Sequence, residues 1–110
     1  MSERENEIVE WIKELEERRA KLDERISQVD REIARSEWRI SELEEFKKRL
    51  EERTFKINHP ELIIEKAEEE ETNLSQQKEE KKKERNEVSL EREFCNSLIN
   101  YLRSKLELAW

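Results

Sequence analysis

From Ile8 onward the apolar residues recur at alternating steps of four and three, through Ile12, Leu15, Leu22, Ile26, Val29 and Ile33 to Ile40, Leu43 and Leu50. This is the spacing of a heptad seam, written abcdefg with apolar residues at a and d. Ile12, Arg19, Ile26, Ile33, Ile40, Lys47 and Thr54 take the a positions, and Ile8, Leu15, Leu22, Val29, Ser36, Leu43, Leu50 and Ile57 take d. A seam sustained this far exceeds what a single amphipathic helix of a globular domain needs, and it predicts a coiled coil. Ser2 followed by Glu5 has the spacing of a capping box, so the helix should begin close to residue 3. Glu14 with Arg18, Glu17 with Lys21, Glu44 with Lys48 and Glu45 with Arg49 are spaced for ion pairs on its outer surface.

Asn58-His59-Pro60-Glu61 interrupts the pattern. Proline lacks an amide donor and disfavours helical geometry at the residue before it. The sequence therefore predicts a helix over 3–57, a turn at 58–60 and a second helix over 61–108, with Asn58 as its cap and Pro60 in the first turn. The second seam reads Ile64, Glu71, Lys78, Arg85, Arg92, Ile99 and Leu106 at a, with Ala67, Leu74, Lys81, Val88, Cys95, Leu102 and Ala109 at d. Doubling the chain back with Ile57 against Ile64 sets Ile33 against Val88, Ile26 against Cys95, Leu22 against Ile99, Leu15 against Leu106 and Ile12 against Ala109. In the middle the same pairing opposes Ser36 to Arg85, Ile40 to Lys81 and Leu43 to Lys78, a stretch expected to be weak. The expected fold is all-α: two long helices in an antiparallel coiled-coil hairpin, a single domain spanning 1–110 and self-associating into a bundle at its open end. The competing architecture is one kinked helix paired with a second chain. A proline near the midpoint and the matching apolar ends favour the hairpin.

Composition narrows the functional classes. Of 110 residues, 48% are charged and 33% hydrophobic, with no glycine and one proline. A chain without glycine has little means of making positive-φ hairpin turns or phosphate-binding loops, so β-rich folds and Gly-loop nucleotide sites are excluded from the reading. The formal net charge of −7 combines 30 acidic with 23 basic residues. It argues against broad attraction to nucleic acid or anionic membrane. No run approaches the roughly 18 apolar residues of a membrane span, and Met1-Ser2-Glu3-Arg4-Glu5 opens no apolar signal core. The single cysteine, Cys95, offers no intrachain disulfide. A cytoplasmic or other reducing compartment, with no membrane association, is the expectation.

The open end carries the most informative chemistry. Phe94, Leu98, Tyr101 and Leu108 form a second apolar stripe beside the seam of the second helix, while Val9, Trp11 and Trp110 fall off the seam at the same end. One partner helix cannot cover two stripes. Val9, Trp11, Phe94, Leu98, Tyr101, Leu108 and Trp110 are thus the candidate partner-binding residues, and a second copy, with a dimer favoured, or another protein is the expected partner. Trp38 at f and Phe46 at g also leave the seam, and Phe55 and His59 are expected to pack across the turn. Neither Glu-x-x-His, CxxC, a Gly-rich loop nor a Ser/His/Asp set occurs, so an enzyme, a cofactor and a metal site are not expected. The second functional reading, nucleic-acid binding, rests on Lys78, Lys81, Lys82, Lys83 and Arg85, although Glu79, Glu80 and Glu84 interrupt the run and no aromatic platform accompanies it. A third is an acidic surface, exemplified by Glu68-Glu69-Glu70-Glu71, that imitates nucleic acid on a target protein.

Across residues 50–66 the chain resembles the tip of the carboxyl-terminal hairpin arm of valyl-tRNA synthetases. Leu50, Phe55 five residues on, Pro60 five beyond it, then Ile63-Ile64-Glu65-Lys66 follow the pattern of that tip. The resemblance implies an antiparallel coiled coil that leans on tRNA, and it places no RNA-contacting residue in this sequence.

Overall fold

The computed structural model describes residues 2–52 and 56–108, the last of them through its backbone. Two helices, α1 (Glu3–Glu51) and α2 (Pro60–Leu108), form an antiparallel helical hairpin, and no strand occurs among the described residues. The start of α1 is as the sequence predicts. Ser2 Oγ accepts a hydrogen bond from the Glu5 amide at 3.2 Å and donates to Glu5 Oε1 at 3.1 Å, while the Ser2 carbonyl accepts from the Asn6 amide. The Glu5 amide, one of the donors that a helix amino terminus leaves orphaned, is thereby engaged, and the Asn6 bond is the first of the helical ladder.

The turn differs from the expectation. α1 ends at Glu51, not at 57; Lys56 and Ile57 are described and lie outside both helices. Leu50 is buried, but the next a position is Thr54, so the seam offers no apolar side chain again until Ile57, a full heptad on, which lies outside the helix. α2 begins at Pro60, where the missing amide donor is one the first turn does not use. Its cap is His59 in place of Asn58: the His59 carbonyl accepts from the amides of Leu62 and Ile63, and His59 adopts φ 59°. That left-handed geometry is open to histidine, whereas a β-branched side chain would clash there. His59 is exposed. Phe55, expected beside it, lies outside the described residues.

The chain packs as two compact units. The open-end unit comprises Met1–Gln28 with Glu84–Trp110, and the turn unit Val29–Lys83. In both, the heptad phase read from the sequence holds: Ile8, Ile12, Leu15, Arg19, Leu22 and Ile26 are buried or half-buried, as are Ala67, Glu71, Leu74, Lys78 and Lys81. The pairing of the helices is shifted by one heptad from the sequence expectation. In the open-end unit Arg19 donates to Asn96 Oδ1 at 2.7 Å, Arg92 pairs with Asp23, and Arg103 pairs with Glu16 at 2.6 Å. These contacts set Leu15 against Ile99 and Leu22 against Arg92, replacing the pairs Leu15–Leu106, Leu22–Ile99 and Ile26–Cys95. In the turn unit Lys81 pairs with Glu32 at 3.0 Å and Lys78 with Glu37 at 3.6 Å, so neither lysine lies against Ile40 or Leu43. The expected pairing had its pivot between Pro60 and Glu61; with α1 stopping at Glu51, the connection is longer on its amino-terminal side and the pivot moves back by half a heptad.

Candidate interaction surface

The open-end unit is built on Ile12, Leu15, Cys95, Ile99 and Leu102, a buried cluster against which Ile8, Leu22, Leu98 and Leu106 pack. Cys95 is fully buried there, in the role of a small apolar side chain. Removing a fully buried aliphatic residue such as Ile99 from water contributes roughly 1.5–3 kcal/mol, so this cluster holds the two helices together locally.

The second stripe stands apart from it. At 100° per residue, Phe94 and Tyr101, one heptad apart, lie within about 20° of each other and about 120–140° from the centre of the buried seam. The stripe faces away from α1 and does not run beside the seam. Leu98 is the exception, because it falls between the two and packs onto the cluster, while Phe94 stays 56% and Tyr101 55% exposed. Leu90, one helical turn before Phe94, extends the same face and is 68% exposed; its spacing of four from Phe94 was readable in the sequence but was obscured by its isolation at an f position. The Lys105 ammonium sits 5.6 Å from the Tyr101 ring centroid, a cation-π contact at the carboxyl end of the stripe.

α1 contributes Trp11. Arg25 and Glu84, both at g, join the helices through an Arg25 Nε hydrogen bond of 3.0 Å. Two heptads along each helix from that pair, the same edge carries Trp11 and Leu98. Trp11 is 48% exposed and lines a shallow groove with Arg4, Ile8, Glu14 and Leu102. Val9, at e, is exposed on the opposite edge of the seam, so it does not join Trp11 and Leu98 in one surface. The side chain of Leu108, together with Ala109 and Trp110, lies outside the described residues.

In the turn unit Trp38 is exposed, and with Phe46, Leu43 and Leu74 it lines a second groove, edged by Arg39, Glu42 and Glu70. The cations of the nucleic-acid reading are engaged by acidic side chains: Lys78 by Glu37, Lys81 by Glu32, and Lys82 by Glu79 at 3.7 Å. Arg85 also has a partner, which leaves Lys83 as the exposed cation of that set without a described ion pair. Counterion release requires cations that can exchange small ions for phosphates, and an internal carboxylate already occupies most of these. Glu71 of the acidic run turns inward to Lys47, whose ammonium lies 3.0 Å from Oε1 and donates to Oε2 at 3.2 Å. The hydrogen bond to Glu71 raises the Lys47 pKa above the ordinary lysine value; burial opposes this, and the charges of Glu71, Glu68 and Glu44 support it. Of the four surface pairs predicted along α1, Arg49 with Glu45 is formed, at 3.2 Å.

Among the described residues no three His, Cys, Asp or Glu side chains gather in a way that could hold a metal ion, and no helix is long and apolar enough to cross a membrane. Comparison with protein-family models, with curated proteins and with solved structures finds no match to this chain.

Proposed function

We propose that this chain is a non-enzymatic helical-hairpin interaction module that binds protein through the outward face of its open-end unit. The observation that supports this reading is the exposure of Phe94 and Tyr101, each more than half open to solvent on one face of α2, with Leu90 before them and Trp11 and Leu98 at the adjoining edge. A helix folded against a single partner needs one apolar stripe, and this stretch of α2 carries a second. Large aromatic anchors in a contiguous apolar patch are what dominates interface affinity.

The test is Phe94→Ala combined with Tyr101→Ala. Both side chains stand outside the buried cluster, so the double variant keeps its helicity by far-ultraviolet circular dichroism. In sedimentation and affinity capture performed side by side, the variant is expected to lose the self-association and protein contacts that the unaltered chain makes. Identical association and identical captured proteins for the two chains would refute the assignment.

A further inference from the structure

The outward stripe carries opposite charges at its two ends. Glu87 and Glu91 lie toward its amino-terminal end and Lys105 at its carboxyl-terminal end, on either side of Phe94, Leu98 and Tyr101. Glu91, Leu98 and Lys105 are each one heptad apart, so they share a line along α2 centred on Leu98. Among the described residues neither Glu87 nor Glu91 has an ion pair, and the Lys105 ammonium lies over the Tyr101 ring. Phe94, Leu98, Tyr101 and Lys105 follow steps of four, three and four, a heptad seam in its own right. Ser97 and Ser104, small residues on its outer edge, let a neighbouring backbone approach.

Such a line is self-complementary in one orientation. Two copies of α2 laid antiparallel about Leu98 bring Lys105 of each to the level of Glu91 of the other, with Glu87 one turn beyond and within reach of the lysine stem. Laid parallel, they would oppose glutamate to glutamate and lysine to lysine. Like charges directly opposed destabilise, so the parallel arrangement is disfavoured. Resting on the reading of this face as an interaction surface, we propose that its occupant is a second copy of the chain, joined about a two-fold axis through Leu98 by antiparallel packing of α2 on α2. The joint is isologous: Phe94, Leu98 and Tyr101 of both copies form its core, Lys105 reaches Glu87 and Glu91 of the other chain, and Trp11 closes the edge.

The available area matches a modest interface. Trp11, Leu90, Phe94, Leu98 and Tyr101 each have on the order of 100 Å² left to bury, giving about 500 Å² per copy and about 1,000 Å² in all. That is near the lower limit for a specific interface, in the size range of weak and transient associations.

Charge reversal tests the orientation. Equilibrium sedimentation over roughly micromolar to hundred-micromolar protein is expected to show a reversible dimer whose dissociation constant rises about tenfold in Lys105→Glu and likewise in Glu87→Lys/Glu91→Lys. Combining all three reversals in one chain restores the original dimer, and mixing the two defective chains yields a heterodimer. Circular dichroism verifies that each variant keeps its helices. Reversals that leave the dimer unchanged overturn the antiparallel joint. A chain monomeric throughout this range overturns self-association, yet the interaction-surface reading survives if the Phe94→Ala/Tyr101→Ala variant still loses captured proteins; if that variant also behaves as the parent, both fail.

Discussion

Ile99→Ala is the most direct probe of what joins the helices in the open-end unit. Ile99 is fully buried within the cluster of Ile12, Leu15, Cys95 and Leu102. The substitution removes three carbon groups from a dry site, about 2.4 kcal/mol at roughly 0.8 kcal/mol each. A cavity contribution adds to this, but it is small here, because a two-helix core has solvent on its flanks and its helices can approach one another; a total of about 2–3 kcal/mol is expected, toward the low end for such truncations. Urea denaturation followed by circular dichroism, at a protein concentration low enough to hold the chain monomeric, gives the loss as a shift of midpoint at constant slope. Phe94→Ala is the control, since its ring is mostly solvated, and its effect should stay near 0.5 kcal/mol. Comparable losses for the two variants would refute the division of α2 into a structural face and a binding face.

Two further outcomes follow from the turn unit. Because the Lys47 pKa is raised in the folded chain, the stabilisation it contributes is fully present below the unfolded lysine value and disappears as pH climbs through the folded one. Stability measured by urea melts should therefore fall more steeply above about pH 10.5 in the parent than in Lys47→Met, and parallel alkaline profiles would contradict the pairing with Glu71. At the cap of α2, where His59 has φ 59°, His59→Val should cost roughly 1–2 kcal/mol while His59→Gly stays within a few tenths. Equal stabilities of those two variants, measured by the same melts, would mean that the left-handed geometry is absent in solution.

The phase of both helices was legible in the sequence because burial depends on a local period. Arg19, Lys47, Glu71, Lys78 and Lys81, polar residues at seam positions, are half-buried where the heptads put them. Register was not legible by the same route. A coiled coil offset by seven residues still opposes a to d, so periodicity is silent about which heptad meets which. Matching the apolar ends favoured Leu15 against Leu106 and Ile12 against Ala109, and it left Lys81 on Ile40 and Lys78 on Leu43. The available signal lay at one position: moving back one heptad sets Glu32 in place of Arg39 beside Lys81, whereas Lys78, Arg92 and Arg103 meet a carboxylate in either register, Glu37 or Glu44, Asp23 or Asp30, and Glu16 or Asp23. The candidate site was legible in part for a related reason. The amino-acid types marked Phe94 and Tyr101 as surplus to one seam, but distance around the helix, not adjacency in sequence, decides that Leu98 packs inward while they do not.

The two kinds of seam then have different consequences. Each exposed or half-exposed ion pair contributes little by itself, commonly under about 1 kcal/mol, so pairs such as Lys81–Glu32 and Lys78–Glu37 add little to the depth of the native minimum. Their effect lies in the alternatives they exclude. Slipping the turn unit by a heptad would exchange Glu37 for Glu44 beside Lys78, at no loss, but would set Arg39 in place of Glu32 beside Lys81, turning an attraction into a like-charge repulsion. In the open-end unit, the apolar side chains exceed what the Ile12–Ile99 cluster encloses, and Phe94, Tyr101 and Leu90 face outward.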